Sequence, residues 1–143
     1  MRSTPQITYK DGYKYQLKDT AVFYTSVCPE NIINTPFIQL SLDGVMVVKR
    51  GYAWDGATFF PDFDWIIRGS MVHDALLQLM REGLLPQDKE IKRLVDLELK
   101  KCCIEDGSGK FMAQIVFFGV QNLGKWGGSP EYARPIKFAP AKG

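Results

Sequence analysis

His73 is the only histidine in the chain, and Asp74 follows it directly. A histidine near neutral pKa takes up a proton when a carboxylate orients its other ring nitrogen. Asp96 and Glu98, in the next apolar-periodic stretch, are carboxylates placed to do so. A further carboxylate, Asp55, stands on the glycine-flanked turn Gly51-Tyr52-Ala53-Trp54-Asp55-Gly56. Together these residues make a candidate metal-assisted hydrolase. His73, Asp74 and Asp96 would be catalytic, and Asp55 and Asp74 would offer oxygens to a divalent cation such as calcium, which needs several.

The same residues also have a purely structural reading. His73 would sit at the edge of a core and give one hydrogen bond to Asp96, Glu98 or a backbone carbonyl, because buried polar groups are nearly always paired. Glu98 falls in the middle of an apolar helix face and needs a partner for the same reason. Asp55-Gly56 is a common turn pair. We adopt this structural reading, with no cofactor, and keep the hydrolase as the alternative.

Other chemistries are poorly served. A single histidine rules out His-rich zinc and HExxH sites, and neither GxSxG nor GxxxxGK[ST] occurs. Three cysteines, two of them adjacent at Cys102 and Cys103, give no disulfide framework and no zinc spacing; reduced, buried and inert thiols are expected. Eighteen basic against sixteen acidic residues leave a net charge of +2 with scattered lysines and arginines, which is no nucleic-acid footprint. No apolar run approaches the roughly 18 residues that span a bilayer, and the first residues lack the apolar core of a signal peptide.

The elements that must position these residues are legible from periodicity. Alternation predicts antiparallel strands around Asp11-Gly12, over 21–25, and on both sides of Asp43-Gly44, the clearest hairpin turn. After a sticky loop from Trp54 to Trp65, a helix is expected over 65–82, capped by Asp64 and ended by Gly83. Its stripe is Gly69, Val72, Leu76, Leu79 and Met80, with His73 on the edge. A second helix follows Pro86-Gln87-Asp88 to about Ile104, with Ile91, Leu94, Val95, Leu99 and Cys102 inward. A third, from Lys110 to Leu123, is apolar enough to be expected at the centre. Residues from Trp126 on carry prolines and no periodicity, and are read as an extended arm.

Tyr52-Ala53-Trp54-Asp55-Gly56-Ala57, then Val72-His73-Asp74-Ala75-Leu76, then Val95-Asp96 with Leu99, resemble DUF 1353, a family of tailed-phage and prophage proteins without a settled function. The likeness covers roughly 51–124. It departs at Leu77, where the family has tyrosine, and at Thr58, where it has serine. The resemblance implies a phage origin and a role in the virion, made in the host cytoplasm. The His73-Asp74 helix is also similar to the His-Asp helix of secreted phospholipases A2, which implies a lipid substrate. That family's cysteine framework and glycine-rich calcium loop are absent from this sequence.

The expected fold is α+β, with N-terminal antiparallel β hairpins packed on a C-terminal cluster of three helices, in one domain over 1–125 with an arm over 126–143. The expected function is a phage virion-associated structural or assembly protein of the tail or neck. Its partners would be other phage structural proteins in an oligomer or larger assembly, without nucleic acid or a membrane span. Trp54, Phe59, Phe60, Trp126 and Tyr132 are the expected contact residues, since interfaces favour aromatics. The alternative is a hydrolase acting on lipid or cell wall.

Overall fold

Strict alternation of apolar residues builds the first half of the chain. In a computed structural model, which describes residues 3–4, 6–7, 9–12, 14–57 and 60–122, Ala21 and Phe23, Ile38 and Leu40, and Met46 and Val48 are the buried members of their strands. Side chains two apart share a sheet face. Register then aligns them in rows: Ala21, Val48 and Ile38 stand abreast, as do Phe23, Met46 and Leu40.

These rows belong to a four-stranded antiparallel sheet of β3 (Ala21–Tyr24), β4 (Ile33–Asn34), β5 (Ile38–Leu40) and β6 (Val45–Val48), in the order β3-β6-β5-β4. A second antiparallel sheet orders β1 (Tyr9–Gly12), β2 (Lys14–Leu17) and β7 (Ala53–Trp54) as β1-β2-β7. The expected hairpin at Asp43-Gly44 is present. Gly44 has φ +87, and a Cβ there would lie 2.3 Å from the Thr25 carbonyl oxygen, so both backbone and space require glycine. The first hairpin reverses between Gly12 and Lys14, one residue later than Asp11-Gly12 predicts. β4 and β7 are too short for alternation to reveal.

The second half is helical: α1 (Asp64–Arg81), α2 (Lys89–Glu105) and α3 (Lys110–Asn122). The strand-then-helix order is the α+β arrangement expected from the sequence. The described chain divides into two compact units, one up to Asp55 and one from Gly56. No helix among the described residues is long and apolar enough to cross a membrane.

Two local expectations about the helices change and one holds. Asp64 lies in the first turn of α1 and does not cap it; the cap is Phe63, with no side-chain bond. Gly83 does end α1, at φ +77, with Leu84 N–H reaching the Leu79 carbonyl at 2.9 Å and Gly83 N–H the Met80 carbonyl at 3.0 Å, a Schellman ending. The helix enclosed on nearly every side is α1, buried from Ile66 through Met80 apart from Asp74 and Gln78. By contrast α3 buries only Ala113, Val116 and Gly119. Helix α2 packs against both neighbours. Gly69 allows its approach to α1, since a Cβ there would meet Leu99 Cδ1 at 2.9 Å and Cys102 Cβ at 3.1 Å.

Candidate functional site

Asp88 starts α2 by accepting a hydrogen bond from Ile91 N–H at 2.8 Å. From that start, Lys92, Asp96, Leu99 and Cys103 follow at i, i+4, i+7 and i+11 and share a buried side. The carboxylate of Asp96 is thereby carried into the helical core and is fully enclosed. An isolated charge there would be costly. It is held by donors from all three helices.

His73 Nε2 on α1 lies 2.6 Å from Asp96 Oδ1. Lys92 Nζ and Gln121 Nε2 both donate to Oδ2, and Lys92 Nζ also donates to the Val120 carbonyl of α3 at 3.1 Å. Burial pushes the Asp96 pKa upward, but the His73 hydrogen bond and charge, then the Lys92 and Gln121 bonds, outweigh it and hold it below the usual carboxylate value. His73 is 8% exposed. Among the described residues its Nδ1 has no hydrogen-bond partner. The arrangement can therefore do two things: lock three helices to one carboxylate, or fix an imidazole with one nitrogen left over to take a proton.

Of the two carboxylates that sequence reasoning placed near His73, Asp96 is the one it meets. Glu98 is buried and pairs with Lys101 Nζ at 2.8 Å. Asp74 is half-buried, about 100° round α1 from His73. Asp55 is half-buried beyond β7. Among the described residues no three His, Cys, Asp or Glu side chains converge as metal ligands.

Lys92 and Gln121 were missed in the sequence. Their signal was position: Lys92 falls on the same stripe as Asp96, but its charge suggests a solvated face. Arg68 was missed too. It is buried on α1 and spans to the end of α2, with Nη2 2.7 Å from Glu105 Oε1 and Nε 3.0 Å from Asp106 Oδ2. The thiols of Cys102 and Cys103 are pushed up to about 12 by burial and stay protonated near neutral pH. Cys28, expected to be buried, is exposed.

The expected contact residues separate. Trp54 is 3% exposed, paired with Tyr15 across β2 and β7, with ring centroids 5.4 Å apart, and stacked on Tyr52. Its ring is spent on the sheet and is not presented outward. Phe60 is half-buried, with its ring against Gly119. Phe59, Trp126 and Tyr132 lie outside the described residues.

An apolar surface appears elsewhere, on α3. Phe111 is 77% exposed, Phe118 59% and Ile115 40%, and their spacing of i, i+4 and i+7 places them on one side. The opposite side of α3, with Ala113 and Val116, packs into a cluster of Ile66, Leu99 and Cys103. No family model, curated protein or solved structure matches this chain.

Proposed function

We propose that the chain is a bacteriophage virion-associated structural or assembly protein, of the tail or neck, that works through protein–protein contacts. The observation that carries the contact part is the two-sided apolarity of α3. A helix apolar all round belongs in an interior, yet Phe111, Ile115 and Phe118 face outward. Apolar surface of this kind marks contact sites on soluble proteins. The phage part rests on the DUF 1353 resemblance over 51–124.

In this reading the His73–Asp96 pair is a clamp that keeps α1, α2 and α3 together beneath the contact face. The test is mass spectrometry of purified particles, alongside particle yield after deletion of the coding sequence. The reading expects the chain in the particle and a fall in yield on deletion. Its absence from particles with undiminished yield would remove the proposal.

The orientation of His73 by Asp96, with Nδ1 unpartnered among the described residues, favours one second reading, a hydrolase with His73 as base. Hydrolysis of phospholipid vesicles or peptidoglycan that is lost in folded His73→Gln would support it.

A further inference from the structure

Helices α2 and α3 lie side by side and antiparallel: Lys92 Nζ donates to the Val120 carbonyl at 3.1 Å, and Lys100 Nζ to Gln114 Oε1 at 2.7 Å. Two rows of side chains therefore run next to each other. On α2, Arg93, Leu97, Lys100 and Ile104 recur at i, i+4, i+7 and i+11, all exposed or half-buried. On α3, the exposed Phe111, Ile115 and Phe118 recur at i, i+4 and i+7. Arg93 to Lys100 and Phe111 to Phe118 each span two helical turns, about 10 Å along the axis.

The rows meet at Phe117. Arg93 Cζ and Lys100 Nζ each stand 5.6 Å from its ring centroid. Phe117 lies about 100° round α3 from Phe118, with Gln114 between the two, and Lys110, the only charged residue of α3, falls on the same side. None of these three cations pairs with a carboxylate among the described residues. On the far side of the stripe the Phe60 ring fills the space that Gly119 leaves, 2.6 Å from where a Cβ would stand. The border left open is the cationic one.

We propose that this two-helix face receives an acidic amphipathic helix of a partner protein, whose apolar stripe covers Phe111, Ile115 and Phe118 and whose carboxylates meet Arg93, Lys100 and Lys110. The proposal rests on the contact-protein reading above and names the chemistry of the partner. Complementary charge favours it, because three cations without carboxylates repel a basic partner and attract an acidic one. Residues 123–143 of the chain itself do not answer that charge: they bring Lys125, Arg134, Lys137 and Lys142 against the single carboxyl side chain of Glu131.

Area points the same way. With ~150–250 Å² for a fully buried aromatic, the three α3 side chains offer on the order of 300–400 Å². That is about half of the ~800 Å² per partner of a standard stable interface, and a second copy would set the same cations on the same face. A single helix laid along the rows needs no more. An anionic bilayer answers the charge but has no use for two rows matched in length.

Fluorescence anisotropy of labelled peptides with the full chain tests this, with circular dichroism to confirm that each protein variant is folded. The peptides have about 18 residues, long enough to hold a helix, with leucines along one face and glutamate, glutamine or lysine on its flank. The glutamate peptide binds about tenfold more tightly than the lysine peptide, with glutamine between them, and the difference shrinks in high salt. Arg93→Glu/Lys100→Glu reverses the order. Phe111→Ser/Phe118→Ser binds none of the three.

Equal binding of the three peptides, or an order unchanged in Arg93→Glu/Lys100→Glu, overturns the acidic partner. Where that binding is still lost in Phe111→Ser/Phe118→Ser, the contact reading survives. Two companion measurements cover the other occupants, and either result overturns the proposal. One is cosedimentation with phosphatidylglycerol vesicles, without peptide binding, that is lost in Phe111→Ser/Phe118→Ser. The other is a dimer in sedimentation velocity, lost in the same variant, that excludes the peptides. A wild type that takes neither peptide, vesicle nor second copy overturns the proposal and leaves the contact reading without its surface.

Discussion

Asp96 is the residue on which the helical unit depends most. Its carboxylate is completely enclosed and is held by His73, Lys92 and Gln121. Its pKa in the folded chain lies below the ordinary value, so the unfolded chain binds the proton more tightly. The stabilisation is therefore complete above about pH 4 and is lost as pH falls through the folded value. Urea midpoints measured from about pH 7 down to about pH 3 should fall steeply at the acid end. Asp96→Asn should flatten that fall. At neutral pH the same substitution leaves the buried Lys92 ammonium facing an amide and should destabilise by about 3–5 kcal/mol, since breaking one side of a buried pair exposes the other. His73→Gln keeps a donor for Asp96 and should be much milder by the same measurement. The lone histidine and its possible carboxylate partners were legible in the sequence because the helical period places Asp96 near an apolar face. Lys92 was not, because a lysine four residues before an aspartate looks like an ordinary surface pair.

Among the elements, α1 and α3 exchange the roles that composition suggests. The sequence of α3 is the more apolar to the eye, yet α1 is the one enclosed, with Arg68, Ser70 and His73 buried among its apolar residues. Polar residues hide a buried helix when each has a partner, as Arg68 has in Glu105 and Asp106 and Ser70 in the Ile67 carbonyl. Apolar residues disguise a surface helix when its outer side serves a contact. Gly69 faces α2 with no room for a side chain. Gly69→Ala would push Leu99 and Cys102 and should cost about 1–3 kcal/mol, the usual range for overpacking, read from chemical denaturation. Phe111→Ser and Phe118→Ser should each change stability by no more than about 0.5 kcal/mol, as for surface positions without a structural role. A larger loss would mean that these rings are part of the fold. Strand alternation found β3, β5 and β6, whereas β4 and β7, with two residues each, carry too few positions for any period to show. That is why Trp54 looked like part of a binding loop.

For the whole molecule, antiparallel strands followed by three helices were readable from the change of hydrophobic period, but the division of the strands into two sheets was not. Nor was the exposed apolar side of α3. A net charge of +2 conceals a local grouping in which Arg93 and Lys100 stand over Phe117 on one side of α3 while the Phe60 ring meets Gly119 on the other, and only folding brings those segments to one helix. The central claim is that the chain acts through the outward side of α3, with the imidazole of His73 serving as a clamp beneath it. The most direct measurement is the yield of infectious particles from a phage carrying Phe111→Ser/Phe118→Ser compared with one carrying His73→Gln, each variant shown to be folded. The account predicts at least a tenfold loss for the first and near-normal yield for the second. Normal yield from the α3 variant together with a collapse for His73→Gln would contradict it.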